Sequence, residues 1–436
     1  MEILMSNQMH LFSFIMHSPI NHTVGSWALP GDDRLEGLAS TDYWKEMGET
    51  LERGCFDAAF FADIPAAFDQ YRDSADDAIK YGVCWPSHDP LIPLAIMASA
   101  TKHLGLVMTK SISAISPYYM VRSLSTLDYI SGGRVGWNVV TGHVRAEHRA
   151  AGLNMQMEHD ARYDRADEYL DICRELWNGI EPGAIVADKE TGIYADPAQV
   201  RRVNHHGEHL DCEATPPVLP SAQGHPVLFQ AGSSNRGQTF AVNNAEAIFA
   251  VQHKIEGMKK FMADVSALAE SEGKPEPRVT FGVQIIVADT DEEAEKLQKE
   301  LSDNVILDAA LARLSGTLGV DFSKHDLDKP MQMQKTQGGQ GSMKTKTDPG
   351  LGTLRDLAIF NGTSTSMPQI VGSPETVANK LEEIWRETGC FGFNITPTTS
   401  NKSVVDFVDK VVPLLQERGA LRKTYAATTL RGNMED

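Results

Sequence analysis

A closed (β/α)8 barrel is the architecture that the 436-residue sequence predicts, and three observations carry the prediction. Eight short apolar runs alternate with longer amphipathic stretches, the pattern of parallel strands joined by crossover helices. At eight units, closure into a barrel is favoured over an open doubly wound sheet. No G-x-G-x-x-G follows the first run, which removes the main argument for an open dinucleotide-binding sheet.

The elements follow in order along the chain. Strand one is read at 9–16, followed by a helix at 41–53 with Ser40 or Thr41 as its N-cap. Strand two (58–63, AAFFAD) leads to a helix at 89–103, with His88 capping its start. Strand three is 104–113, the next helix 117–130 and strand four 135–141. A helix at 160–177 carries Tyr163, Ala166, Tyr169, Leu170, Cys173 and Trp177 on one stripe. Strands five to eight are read at 226–232, 247–251, 279–288 and 391–395. Helices at 256–271, 291–301 and 375–388 separate the later strands, and a last one at 404–418 follows the eighth.

Two stretches exceed a bare barrel. Residues 179–225 are rich in Pro, Gly, Asp and His and are expected to hold a small hairpin around 205–212. Residues 302–373 interrupt the unit between strands seven and eight. Their middle, 330–352, lacks apolar periodicity and is rich in Gly, Gln and Lys, so it reads as a mobile lid or a passive insertion, with the lid preferred.

Composition narrows the function classes. Hydrophobic residues make up 42% and charged ones 23%, which fits a soluble globular protein of enzyme size. A formal net charge of −19 with no basic patch disfavours nucleic acid and anionic membranes as partners. Five scattered cysteines without a C-x-x-C pair argue against a disulfide framework. No secretory leader is recognised at the N-terminus and no apolar run is long enough to span a membrane, so the expected location is the cytoplasm.

In such a barrel the working residues sit at the C-terminal ends of the strands. These ends supply Asp63, Ser111 and Ser113, Asn138 and His143, Ala231 to Ser234, and Asn394 with Thr396. Amides and hydroxyls dominate, and no Ser–His–Asp or Cys–His arrangement, H-E-x-x-H or P-loop is present. The set suits a pocket for a polar heteroaromatic ligand. GSSNRG (232–237) closes a strand and opens a helix, so it is either a phosphate cradle or a plain turn with a serine N-cap. Tyr163 is either directed at the same ligand or part of the core, in which case Arg162, Asp164, Arg165 and Asp167 pair on the exposed face. The histidines of NHHGEH (204–209) sit in the expected hairpin turn, and no metal site is predicted there.

Taken together, SGGRVGWNVVTG (131–142), EHDARYDRADEYL (158–170) and FQAGSSNRGQTFAVNNAEAIF (229–249) resemble a family. It is the flavin-dependent monooxygenase group acting on nitrilotriacetate, dibenzothiophene sulfone and long-chain alkanes, within the bacterial-luciferase-like superfamily. ERGCFDAAFFAD (52–63), LSTLDYISGGR (124–134) and YADPAQVRRVNHHGEHLD (194–211) match as well, and the likeness runs from about residue 9 to 420. The resemblance implies FMN at the C-terminal mouth, delivered reduced by a separate NAD(P)H:flavin reductase, with O2 activated as a flavin peroxide. Carried over by position, Asp63, Ser111, Asn138 and His143 would surround the isoalloxazine and ribityl chain. Tyr163 and Ala231-Gly232-Ser233-Ser234 would hold the phosphate. His143 is the candidate catalytic residue, with a plain flavin contact as its alternative role. A homodimer or homotetramer is usual for such proteins.

Departures from the family pattern bear on the substrate. Ser18 and Asn21 stand where the alkane and dimethylsulfide enzymes carry a cysteine and a histidine, with His22 displaced by one position. Lys110 replaces an apolar or aromatic residue, and Cys84 a glutamine. These changes disfavour an alkane and favour a polar or heteroaromatic substrate. Riboflavin cleavage and organosulfur C–S cleavage are alternatives within the family, and a non-catalytic flavin-binding protein is one from another class.

Overall fold

The computed structural model describes residues 8–153, 157–334, 336, 338–347, 349–399 and 401–435. Residues 1–7 of the N-terminal stretch and Lys335, Gln337 and Asp348 of the stretch read as a lid lie outside the described residues.

Eight parallel strands close into a barrel: β1 (His10–Met16), β2 (Ala58–Ala62), β3 (Gly105–Ser111), β4 (Val135–Val140), β5 (Val227–Gln230), β6 (Ala247–Ala250), β7 (Arg278–Val287) and β8 (Gly392–Thr396). Each pairs with the next, and β8 pairs with β1 to close the ring. The side-chain period of two sorts these strands. Leu11, Ile15, Trp137 and Val139 face the surrounding helices. Phe12, Phe14, Phe60, Val107, Phe229 and Phe249 fill the interior. Deleting one such ring by Phe→Ala typically costs about 3–5 kcal/mol.

The outer helices are α1 (Thr41–Arg53), α2 (Leu91–Ala100), α3 (Pro117–Ile130), α4 (His159–Trp177), α5 (Asn235–Asn244), α6 (Ile255–Glu272) and α7 (Asp291–Asp303). Ser40 caps α1 by accepting from the Tyr43 amide at 3.2 Å. Helix α2 is shorter than the 89–103 expected. Asp89 accepts from the Leu91 amide at 2.9 Å, while the backbone amide of His88 is turned to His17. At the other end, Glu52 gathers the amides of Lys102, His103 and Leu104, a tertiary contact that draws the chain out of the helix.

Residues 179–225 hold two antiparallel hairpins, Ile185–Asp188 with Ile193–Ala195 and Val203–His206 with Asp211–Ala214. In the second, His205 bonds Glu168 at 3.2 Å and His206 bonds Asp211 at 2.9 Å. The 302–373 stretch forms α8 (Leu307–Leu318), α9 (Gln340–Lys346) and α10 (Leu354–Ser364). It ends in a strand, Gln369–Gly372, that adds in parallel to the end of β7. Helices α8 and α10 build a small second core with Tyr71, Phe322 and Met343. After α11 (Pro374–Thr388) and β8 come α12 (Asn401–Lys410) and a shorter helix, Val412–Glu417.

The sequence reading assigned nothing beyond residue 418, yet Leu430 and Met434 plug the barrel floor. Gly105 and Gly136 make room for that plug, since a Cβ at either would press on a Leu430 methyl. Arg422 fixes the segment by bonding Asp57 at 2.6 Å, both side chains being buried. With the floor sealed, the open end is the C-terminal mouth.

Candidate active site

Loops after β4 and β5 and the 338–342 segment enclose a polar cavity of about 220 Å³. Thr141, Gly142 and His143 come from the β4 loop, His159, Arg162 and Tyr163 from the first turn of α4, and Ala231 to Ser234 from the β5 turn. Ser234 is the N-cap of α5, accepting from the Gly237 amide at 3.1 Å, and it meets His159 Nε2 at 3.2 Å. The α5 N-terminus therefore brings a positive dipole end, a guanidinium, an imidazole and three hydroxyls to one place, a donor set suited to phosphate. Tyr163 hydrogen-bonds Gln230 and Ser234, and burial pushes its phenol above the ordinary range.

Arg162 decides against the alternative of an exposed charge face. It is buried, lines the cavity and donates to Met157 O at 2.8 Å. Arg165 also turns inward, to Ile112 O at 2.9 Å. Asp164 and Asp167 instead hold Arg236, at 2.8 and 2.6 Å.

Below the mouth, Asn138 points into the barrel and donates to Thr109 Oγ1 at 3.0 Å. Asn394 does the same with Thr280 at 3.0 Å, and Thr396 reaches Met367 Sδ at 3.2 Å. Both amides leave a buried Oδ1 without a hydrogen-bond partner, which is costly unless a ligand meets it.

Asp63, just past β2, faces Ser87 at 3.4 Å and Lys110 at 4.0 Å. Burial pushes its carboxyl up to about 6, against the pull of Lys110. Lys110 is anchored more firmly by Asp89, at 2.7 Å. Ser111 bonds Ser113 at 3.1 Å, and both hydroxyls reach Glu147, whose buried carboxyl is likewise pushed up. Sequence reading missed Glu147 because it lies on a short helix, Arg145–Ala150, that carries no strand-end signature.

His143 stands between two compartments, lining both the polar cavity and an apolar one of about 230 Å³. Burial, then Arg162 and His148, drive its imidazole down to about 4, so it is neutral at pH 7. The apolar cavity is walled by Phe14, Met16, Ala62, Phe68, Phe249 and Met367. His22, Cys84, Arg313 and Lys346 also line it. Lys110, Ser18 and Asn21 are absent from its wall; Ser18 and Asn21 are buried, Asn21 accepting from the Met16 amide at 2.8 Å.

A closed β/α barrel whose C-terminal mouth holds a helix-capped polar cavity beside an apolar one, with His143 in both walls, has its ligand-binding site where barrel enzymes carry theirs. The luciferase-like monooxygenase model matches residues 13–390, and the chain belongs to that family, whose chemistry is flavin-dependent oxidation. The chain is 34% identical to the dimethyl-sulfide monooxygenase of Hyphomicrobium sulfonivorans, over 98% of this chain and 90% of that one. It is 34% identical to nitrilotriacetate monooxygenase component A of Aminobacter aminovorans, covering 98% and 96%. Among solved structures, riboflavin lyase with modified FMN and riboflavin superposes with a TM-score of 0.91 at 33% identity, covering 98% and 95%.

Proposed function

We propose that the chain is the oxygenase component of a two-component, FMN-dependent monooxygenase. It would receive reduced FMN from a separate NAD(P)H:flavin reductase and use O2 to oxygenate or cleave a small, polar or heteroaromatic substrate. The observation that carries this reading is the polar cavity sharing His143 with an apolar one. The residues fit the cofactor. His159, Arg162, Tyr163 and Ala231 to Ser234 would hold its phosphate, and the orphaned Asn138 Oδ1, with Asp63 and Ser111, would face its ring and ribityl chain. When bound, FMN supplies the redox chemistry. The chain's own residues position and desolvate. Neutral His143 can donate or accept one hydrogen bond at the boundary between the compartments, and Phe14, Phe249 and Met367 exclude water.

The α9 segment would act as a lid, since Gly338 to Ser342 form one wall of the polar cavity. A homodimer or homotetramer in the cytoplasm completes the proposal. The test is anaerobic titration with photoreduced FMN, followed by mixing with O2. Tight binding and at least a tenfold change in flavin reoxidation rate are expected, whereas reoxidation identical to free FMN would overturn it.

A further inference from the structure

The apolar cavity is lined by two buried cations and, among the described residues, by no acid. Arg313 of α8 is 3% exposed and Lys346 of α9 is 5% exposed, and no Asp or Glu among the described residues lines the cavity with them. Arg313 donates to the backbone carbonyl of His22, which leaves its charge uncompensated, and to Thr365 Oγ1 at 2.7 Å. Among the described residues no carboxylate acts on either cation: Arg313 is the charge that acts on Lys346, and beside Arg313 lies the Cys84 thiol, which burial keeps protonated. Burial, then the Arg313 charge, drives the Lys346 ammonium down to about 8. Two desolvated like charges are a costly arrangement unless an anion completes it.

A further polar group in the wall agrees. His22 is 3% exposed, stacks on Phe14 at 4.3 Å, and keeps a buried Nε2 without a partner. Burial and Arg313 hold it well below the ordinary imidazole range, so it is a neutral hydrogen-bonding group. The rest of the wall is mainly aromatic and aliphatic, with the hydroxyls of Ser233, Thr317, Ser342, Thr345 and Thr365 among it.

We propose that this cavity takes the substrate by an anionic head, a carboxylate or sulfonate seated between Arg313 and Lys346, with His22 Nε2 as a neutral contact. The apolar body of the substrate then lies against Phe14, Phe249 and Met367, facing His143. This deepens the monooxygenase reading and rests on it for the word substrate; the anion site itself does not.

The test is calorimetric titration of the full chain at pH 7 with 2-naphthoate, 2-naphthalenesulfonate and the neutral isostere 2-naphthamide. It is repeated under saturating inorganic phosphate, whose proposed site is the polar cavity, and with oxidised FMN bound. Both acids should bind at least tenfold tighter than the amide and remain bound with phosphate or FMN present. Lys346→Met should abolish the preference and Lys346→Arg should restore it, with FMN affinity unchanged in both. Equal binding of acid and amide, or a preference retained in Lys346→Met, overturns the proposal. So does displacement of the acids by phosphate or FMN, which would place them in the cofactor site. Failure of FMN to bind while the acid preference persists would sink the monooxygenase reading and leave the anion site standing.

Discussion

The hydroxyl of Ser233 lies directly against Gly341, so that a Cβ at 341 would collide with the Ser233 side chain and carbonyl carbon. This contact seats α9, from the long excursion after β7, on the turn that opens α5. Gly341→Ala should therefore unseat α9 without disturbing the barrel. The expected result is a several-fold faster proteolytic nick within 330–352, with FMN binding weakened about tenfold and the global unfolding midpoint nearly unchanged. Unaltered proteolysis and FMN affinity would show that the contact does not govern the site.

Asp63 is held protonated to about pH 6 by burial. A carboxyl whose folded pKa lies above its unfolded value favours the fold when protonated. Stability therefore falls as pH rises from about 4 to about 6, and stays lower above that. Asp63→Asn mimics the protonated state and should raise unfolding free energy at pH 7 by about 3 kcal/mol, with no gain at pH 4. Urea unfolding at both pH values checks this, and an equal effect at both would refute it. The same variant should lower turnover, a trade of stability for function.

The opposite sign holds for His143. Its folded pKa of about 4 lies below the ordinary 6.5, so its contribution to stability is complete above pH 6.5 and is lost as pH falls toward 4. Its Cε1–H resonance, assigned with His143→Gln, should show no titration step between pH 5.5 and 8. Arg162→Met removes one cause of the depression and should move the midpoint upward. A wild-type midpoint near 6.5 would contradict the geometry.

Asn138 offers the barrel's ligand an amide whose Oδ1 no protein group satisfies. Asn138→Leu keeps approximate size and removes the polar atom, so the apo fold should lose less than about 1.5 kcal/mol or gain slightly. FMN affinity should fall at least tenfold by fluorescence quenching. Loss of stability with intact FMN affinity would make Asn138 a structural residue only.

Much of the barrel was legible because its strands are short apolar runs, and burial on both faces leaves few other uses for AAFFA or VLFQ. Asn138 and His143 were legible as polar interruptions at a strand's end, and Ser234 as a residue opening a helix. Arg162 was not. Its helical neighbours Asp164 and Arg165 suggested a solvated charge face, and the partner that claims the aspartates, Arg236, lies 69 to 72 residues away. The C-terminal plug was silent for a related reason: Leu430 and Met434 span a single helical turn, too short to register as a period, and the space for Leu430 depends on two glycines in distant strands.

The sequence by itself determined the strand count, the parallel alternation and the polar residues at the strand ends, because each follows from local period and composition. Only the tertiary structure decided that Arg313 and Lys346 share one apolar cavity with His22, and that His143 stands between that cavity and the polar one. Charge burial is a property of what surrounds a side chain in space, and these surroundings come from segments hundreds of residues apart.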